Sequence, residues 1–358
     1  MVTLAGEAKR DIFFSFFMFT VDLRPGDADY AKVLIGHMQE LMKLGYTGFD
    51  LPIAPTPTAD HEAEVESYVQ LKGSLDDAGL GEVAFTTNVA ATRTFDPSSP
   101  YEQQRDVALA YLKSRVDITA ALDGTIMAGP IVFPYNMFPV LDFGDPIWSD
   151  VLQAWAAPRY EFAQPVLEEL GRYAEDKDVK VAIEPVDHWE TPVPNMVGEV
   201  LAFLDGVLSR QVGVCVDSAH VVLGGDGPVA SGEDIRRAAA EDRLHYVHIS
   251  APDRGAIHDS WIPWKRFVNP ILEQYEGPLL VEIFNAIPAF LDSLRLTRRK
   301  FWIPGEDRPV AGVPDAYTVA GQAIAAVRHE LVSHRESLEL IHRRTGDAAH
   351  GHERAADD

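Results

Sequence analysis

Cysteine is almost absent from this chain, and its scarcity excludes two kinds of site. Cys215 is the single cysteine among 358 residues, and it lies inside the apolar run VGVCVD. One cysteine cannot form an intramolecular disulfide, so no disulfide framework supports the fold, and a thiolate metal site is excluded as well. This composition suits a reducing cytoplasm, which is where we expect the protein.

Basic residues are also few. The chain has 31 Lys and Arg against 55 Asp and Glu, which gives a formal net charge of −24. Such a charge repels polyanions at long range, so neither nucleic acid nor an anionic membrane surface is an expected partner. Small neutral or cationic ligands remain compatible, and the same acidic surface could serve solubility alone.

Long hydrophobic runs and phosphate-binding motifs are missing too. No apolar run is long enough to cross a bilayer, and the N-terminus lacks the features of a secretory signal peptide. The glycine patterns GxGxxG and GxxxxGK do not occur, so no phosphate-binding loop can be argued. We therefore expect a soluble protein that does not interact with membranes.

What the chain does contain is a repeated alternation of short apolar runs with longer helical patterns. Eight apolar runs occupy residues 12–19, 48–53, 82–87, 125–132, 179–184, 212–217, 244–249 and 278–283. This alternation is typical of βα units around a parallel sheet, and eight units favour a closed barrel. We predict an α/β fold, a single (β/α)₈ TIM barrel over residues 1–340.

Several segments outside the repeat are long. The connections at 133–155 and 285–312 are rich in aromatics and proline, and we expect extended βα loops there. Such loops often carry specificity, although these two could instead be lids or oligomer contacts. The glycine-rich insertion at 224–242 predicts a loop leading into a short helix. The last residues, 341–358, predict a disordered tail.

Four acidic or imidazole residues stand at matching places on the last four runs. Glu184 and Asp217 close the fifth and sixth runs, and His248 and Glu282 lie near the ends of the seventh and eighth. The carboxyl ends of barrel strands meet at one end of the barrel, where its chemistry is found. One such residue alone is commonly a helix cap or an ion-pair partner. Four in register, three of them carboxylates, predict a divalent-metal site.

Five segments around these residues form recognisable motifs. They are IEPVDHWETPVPN (183–195), VCVDSAHV (214–221), HISAPDRGA (248–256), WIPW (261–264) and GPLLVEIF (277–284). With these motifs the chain resembles the xylose isomerase-like TIM barrels, and within them the ketose 3-epimerases that act on D-tagatose and D-psicose. The resemblance spans most of residues 80–335.

The resemblance implies a metal, a reaction and a set of site residues. It implies that Mn²⁺, or another divalent cation such as Co²⁺ or Mg²⁺, is bound by Glu184, Asp217, His248 and Glu282. It further implies that Glu184 and Glu282 act as the acid/base pair on opposite faces of a keto sugar, because a proton beside a carbonyl is removable only when the developing charge is stabilised.

The same resemblance implies that Glu190, His220 and Arg254 bind sugar hydroxyls. Glu190 could instead be an ordinary helix cap, and Arg254 could form a salt bridge on the barrel rim. The chain also departs from the epimerase pattern at His188, where arginine is usual, and at Ser250.

The departures and the longer loops resemble a second family, the α subunits of bacterial C-glycoside deglycosidases. That resemblance implies cleavage of a C–C bond in a 3-oxo-C-glycoside by β-elimination, and a small β subunit in a hetero-oligomer. His188 would then move the proton on the aglycone side, since imidazole titrates near neutrality, although it could equally be a packed histidine.

We therefore expect a metal-dependent enzyme that enolises a keto sugar. C-glycoside cleavage, a carbon–carbon lyase reaction, is the first expectation, and 3-epimerisation of a free ketose, an isomerase reaction, is the alternative. Chemistry like that of inosose dehydratase or hydroxypyruvate isomerase is a further, weaker alternative. A non-catalytic binding barrel would have no need of glutamates in both acid/base positions.

Overall fold

The computed structural model describes residues 10–21, 23–54, 60–139, 149–287, 290–291, 296 and 298–353 of the chain. Eight parallel strands form a closed barrel in sequence order, and the last strand pairs with the first. The strands are β1 (Ile12–Ser15), β2 (Gly48–Pro52), β3 (Ala84–Asn88), β4 (Ile126–Gly129), β5 (Lys180–Ile183), β6 (Val212–Asp217), β7 (Leu244–Ser250) and β8 (Leu279–Glu282). The predicted (β/α)₈ barrel is confirmed.

Helices cover the outside of the barrel. They are α1 (Ala28–Leu44), α2 (His61–Asp77), α3 (Glu102–Ala121), α4 (Ser149–Glu175), α5 (Val197–Leu204), α6 (Ser218–Gly224), α7 (Pro228–Ala240), α8 (Trp264–Gln274) and α9 (Ala316–Glu353). The first of them shows how the sequence sets the ends of a helix. Asp27 accepts hydrogen bonds from the first backbone N–H groups of α1, and Gly45 ends it in the left-handed conformation.

The first strand is shorter than the sequence predicts. The apolar run extends from 12 to 19, but β1 ends at Ser15 and a 3₁₀ turn follows at Phe16–Met18. The cause is local, since the hydroxyl of Ser15 accepts a hydrogen bond from the backbone N–H of Phe17 at 3.3 Å. The turn leaves the Phe17 side chain at the wall of the cavity described below.

The long insertions are only partly described. Residues 140–148 of the connection after β4, and 288–289, 292–295 and 297 of the connection after β8, lie outside the described residues. Helix α7 occupies most of the insertion at 224–242, which confirms the short helix predicted there.

The last helix reaches the segment for which the sequence predicts disorder. The backbone of α9 continues to Glu353, so helix occupies the first part of residues 341–358, and residues 354–358 lie outside the description. The division of the chain into a barrel and a tail at residue 341 stays a prediction. None of the helices in the described part of the chain is long and apolar enough to span a membrane.

Candidate metal centre

The four predicted metal ligands form one layer inside the barrel. Each lies two positions after a member of a buried cluster that includes Ala182, Cys215, Tyr246 and Leu280. Side chains two positions apart on a strand point to the same side of the sheet. The cluster therefore forms the floor of the site, and the next inward-facing layer consists of Glu184, Asp217, His248 and Glu282.

The four side chains converge closely. Nδ1 of His248 lies 3.1 Å from Oε1 of Glu184, 3.8 Å from Oε1 of Glu282 and 4.0 Å from Oδ2 of Asp217. One ligand atom from each residue lies within 4.8 Å of all the others, and all four residues are buried. The structure thus brings together the residues that the sequence placed on neighbouring strands, at distances that allow one ion to be shared.

The charges of this layer fit a cation. Burial, reinforced by the carboxylates of Asp217 and Glu184, raises the pKa of Glu282 well above its usual value, against the opposing charge of His248. Burial also disfavours the charged form of Asp217, but the positive charges around it outweigh burial and lower its pKa to about 2. Buried carboxylates this close cannot all stay ionised without added positive charge. Three carboxylates and an imidazole are a donor set suited to a hard divalent cation.

Asp217 is held in place by its neighbours. Its Oδ1 accepts hydrogen bonds from the backbone N–H of Ala219 at 2.5 Å and of His220 at 3.2 Å, which makes it the N-cap of α6. The hydroxyl of Ser250 donates to the same carboxylate at 2.9 Å. The serine that departs from the epimerase pattern therefore supports a predicted ligand.

Arg254 is buried between two pairs of carboxylates. Its Nη1 lies 3.7 Å from Asp217 and 3.6 Å from Glu282, and its Nη2 lies 3.5 Å from Glu190 and 3.7 Å from Asp187. Burial works against its charge, but these carboxylates outweigh burial and raise the pKa of Arg254. Arg254 is therefore part of the site and not a solvated salt bridge on the rim.

The backbone at Arg254 is strained. Its φ of 56° lies in the left-handed region, which is costly for a residue with a long side chain. Two hydrogen bonds hold it there: its N–H donates to the carbonyl of Ala251 at 2.7 Å, and its carbonyl accepts from the N–H of Phe284 at 3.0 Å. The conformation directs the guanidinium over the Phe284 ring, 5.0 Å from its centroid.

A cavity of about 310 Å³ opens above the ligand layer. Five of the predicted site residues line it: Glu184, Glu190, His220, Arg254 and Glu282. Its other walls are mainly apolar and include Phe17, Val21, Pro52, Ile53, Tyr135, Phe284 and Phe290. A larger cavity of about 690 Å³ lies beside α1 and Glu306, but none of the predicted site residues lines it. The polar floor below an apolar wall marks the smaller cavity as the candidate site.

His188 lies apart from this group. Its side chain is exposed, and its ring packs edge-on against Trp189 with the ring centroids 4.9 Å apart. It is not among the residues that line the cavity. The structure therefore does not bring His188 to the other predicted site residues, and its catalytic role stays a prediction.

Three polar residues of the site were missed in the sequence, and one of them, Asn88, lies at the end of β3 and lines the cavity. Asp187 is fully buried beside His220 and Arg254, and the hydroxyl of Tyr135 donates to Oε1 of Glu190 at 3.2 Å. Asp187 stands next to the strand-end Glu184 within EPVDHWE, which is a signal that could have drawn attention to it. Tyr135 lies in a long aromatic loop, where sequence alone gives no reason to select it.

Comparison with known proteins finds a family model and several similar proteins. A family model described as xylose isomerase-like TIM barrel matches residues 38–300. The chain is 55% identical to a protein of Anabaena variabilis provisionally described as a sugar phosphate isomerase/epimerase, with 91% of this chain and 100% of that chain covered and a TM-score of 0.88.

Two curated relatives are more distant. An L-ribulose 3-epimerase of Methylomonas sp. is 27% identical over 201 residues, which cover 55% of this chain and 63% of the relative, or less than two thirds of its length. A D-psicose 3-epimerase of Enterocloster bolteae is 24% identical over 264 residues, which cover 72% of this chain and 77% of the relative.

Proposed function

The chain belongs to the xylose isomerase-like TIM barrel family, and we propose that it is an enzyme that epimerises a ketose at the carbon beside the carbonyl. The names of its relatives support this reading, since both curated proteins above are ketose 3-epimerases. They support the alternative drawn from the sequence better than the first expectation of C–C cleavage. The observation that carries the proposal is the single buried layer of Glu184, Asp217, His248 and Glu282 under an open cavity.

We propose that this layer holds a divalent cation, with Mn²⁺, Co²⁺ and Mg²⁺ as candidates. Glu184, Asp217, His248 and Glu282 would be its ligands. When bound, such a cation stabilises negative charge on a carbonyl oxygen, which makes the neighbouring C–H group more acidic. Burial of the layer strengthens this effect by excluding water.

Two of the ligands also line the cavity and can exchange protons with a substrate. Glu184 follows β5 and Glu282 ends β8, and two strands separate them, so their carboxylates approach the cavity from different directions. In the proposed reaction one carboxylate removes the proton from one face of the sugar carbon. The other carboxylate returns a proton to the opposite face, which inverts the configuration.

Three further residues are suited to hold the sugar. Glu190 offers a buried carboxylate acceptor, whereas Arg254 and the ring of His220 offer donors at the same cavity. Hydroxyl groups bind well to such a mixed set, because each can donate and accept at once. In the proposed function these contacts fix the carbonyl and the adjacent C–H group relative to the two proton-transferring glutamates.

Solvent isotope exchange tests this proposal. The purified protein, loaded with Mn²⁺ in D₂O, would be incubated with L-ribulose and with D-psicose, and NMR would follow deuterium at the carbon beside the carbonyl. We expect exchange together with formation of the 3-epimer, and no exchange with the Glu184→Gln variant. Absence of exchange with every ketose tested, although the metal is bound, would contradict the proposal.

A second candidate function is supported by the apolar wall. Phe17 stacks on Phe284 with centroids 5.0 Å apart, and Phe290 packs edge-on against both rings. An aromatic aglycone would fit such a wall, which favours cleavage of a 3-oxo-C-glycoside. In that reaction one carboxylate removes the proton beside the ketone, and the electron pair expels the aglycone carbon, which then takes up a proton.

Release of an aglycone from a 3-oxo-C-glucoside tests the second candidate, and it would be measured with and without a small β subunit. Release would favour cleavage, whereas 3-epimer formation from ketoses without any release would exclude it. The β subunit and the cytoplasmic location stay predictions from the sequence.

A further inference from the structure

Asp187 is a buried carboxylate that no described hydrogen bond satisfies. It has no exposed surface, and neither of its carboxylate oxygens has a hydrogen-bond partner among the described residues. It does not line the cavity, so a substrate would not touch it. A buried carboxylate in this state is costly unless positive groups stand close to it.

The groups close to Asp187 are two of the proposed sugar-binding residues. Its Oδ1 lies 3.3 Å from Nδ1 of His220, and its Oδ2 lies 3.7 Å from Nη2 of Arg254. Both partners do line the cavity. Asp187 therefore contacts the two donors from the side away from the substrate.

His220 and Arg254 also contact each other. Nη2 of Arg254 lies 3.0 Å from Nε2 and 3.4 Å from Nδ1 of the His220 ring. When the ring is neutral with its proton on Nδ1, Nε2 accepts a hydrogen bond from Arg254. An anion beside Nδ1 favours this tautomer and so supports the contact between the two residues.

The position of Asp187 does not depend on its own side chain. Its backbone N–H donates to Oε2 of Glu190 at 3.1 Å, and its carbonyl accepts from the N–H groups of Glu190 at 2.8 Å and Thr191 at 3.1 Å. The side-chain amide of Asn195 bonds the carbonyls of Val186 and Thr191 at 2.7 and 3.1 Å. Substitutions of the carboxylate therefore leave the turn that carries it hydrogen-bonded.

We propose that Asp187 is a positioning residue that orients His220 and Arg254 toward the cavity. Its Oδ1, 3.3 Å from Nδ1 of His220, favours a proton on that nitrogen, and its Oδ2 lies 3.7 Å from Nη2 of Arg254, where Glu190 also approaches to 3.5 Å. Its effect on catalysis rests on the proposed function, whereas its effect on the two side chains does not.

Two substitutions separate this role from a purely structural one. Asp187→Leu removes the acceptor and the charge, and Asp187→Asn keeps the shape and one acceptor oxygen. We expect Asp187→Leu to raise KM for the ketose and to lower kcat/KM about 10- to 100-fold, as losses of supporting partners commonly do. Asp187→Asn should recover a large part of this loss, and neither variant should change the Mn²⁺ stoichiometry.

Asp96 provides a matched control. It is also buried, but it accepts hydrogen bonds from the backbone and hydroxyl of Ser98, lies 3.5 Å from Arg159, and does not line the cavity. Asp96→Asn should lower Tm without changing KM or kcat. If Asp187→Leu behaved like this control, with unchanged KM and kcat in the folded protein, the proposed role would be wrong. Should the leucine variant not fold, Asp187→Asn decides, and KM, kcat and His220 ¹⁵N shifts that all equal those of the wild type would overturn the role.

A readout that does not need turnover separates this inference from the proposed function. The ¹⁵N shifts of the His220 ring, measured by NMR on the Mg²⁺-loaded protein, report which nitrogen carries a proton. We expect a protonated Nδ1 in the wild type and a changed pattern in Asp187→Leu. If the wild type turned over no ketose but this change occurred, the proposed function would fail and the positioning would stand. An unchanged His220 pattern would contradict the positioning itself.

Discussion

At the amino-terminal end of the barrel, a buried and a half-buried cation face backbone carbonyl groups, whereas at the carboxyl-terminal end buried anions face one another. Arg243, just before β7, donates to the carbonyls of Val207, Ser209 and Val212. Arg10, before β1, similarly donates to the carbonyls of Tyr275 and Gly277 at 2.7 and 2.9 Å. Each of these charges has neutral acceptors, and each joins segments that are distant in the chain.

The opposite end is built differently. Glu184, Asp217 and Glu282 converge with His248, and the oxygens of Asp187 lack hydrogen bonds within the described residues. Such an arrangement stores unfavourable electrostatic energy that a bound cation or substrate would relieve. We infer that the amino-terminal end serves stability and that the carboxyl-terminal end serves function, a division known for barrels of this type.

The largest effect on activity is expected from substitutions at the carboxyl-terminal end. Glu184→Gln and Glu282→Gln each remove a proposed proton-transferring group and should lower kcat by about 10²- to 10⁴-fold or more. Because each substitution replaces a carboxyl group of this crowded layer with a neutral amide of nearly the same shape, the metal-free protein should unfold at about the same temperature as the wild type or a higher one. Ketose turnover and thermal unfolding measure the two effects. A variant that keeps full activity would remove that glutamate from the mechanism.

At the amino-terminal end we expect the reverse, a loss of stability without a loss of activity. Arg243→Met leaves three buried carbonyls without a charged donor and should lower the free energy of unfolding by about 2–4 kcal/mol. Activity per folded molecule should stay unchanged, as urea unfolding and turnover would show.

The exposed pair of Arg236 and Glu273 gives the control for this change, with nitrogen and oxygen 3.0 Å apart. Arg236→Met should cost less than about 1 kcal/mol. Equal losses in the two variants would contradict the stabilising role given to Arg243.

His245, near the start of β7, should make the free energy of unfolding depend on pH. Burial lowers its pKa to about 4, below the ordinary value of about 6.5. The unfolded chain therefore binds a proton in a range where the folded protein does not. The contribution of neutral His245 to the free energy of unfolding is complete above about pH 6.5. As the pH falls to 4, this contribution decreases by about 3 kcal/mol in total.

Urea unfolding at several pH values measures this dependence. His245→Gln keeps a donor for the carbonyl of Arg210, which lies 2.9 Å from Nε2 of the histidine. The difference in stability between the wild type and the variant should change by about 3 kcal/mol between pH 4 and 6.5. A difference that stayed constant over that range would show that the histidine is not buried in the neutral form.

The comparison also shows which parts of the molecule were predictable from sequence. Strand positions follow from apolar runs, and the alternation of side chains along a strand places Glu184, Asp217, His248 and Glu282 in one layer. The end of β1 depends on a hydrogen bond from the Phe17 N–H to Ser15, which an apolar run does not reveal.

The roles of Arg254 and Asp187 were harder to predict from the sequence. The burial of Arg254 between carboxylates arises from a left-handed backbone conformation held by contacts with β8. The importance of Asp187 depends on neighbours from two other strand ends. Neither relation has a local pattern in the sequence, because both depend on distances across the barrel mouth.

Titration of the metal-free protein with Mn²⁺ tests the central claim most directly. Calorimetry, with electron paramagnetic resonance to count free ions, should show one ion bound per chain in the wild type and in Asp187→Asn. Binding should be lost, or weakened by orders of magnitude, in Asp217→Asn, which removes a ligand without removing a proton-transferring glutamate. A wild type that binds no ion, or an Asp217→Asn variant that binds it equally well, would contradict the account.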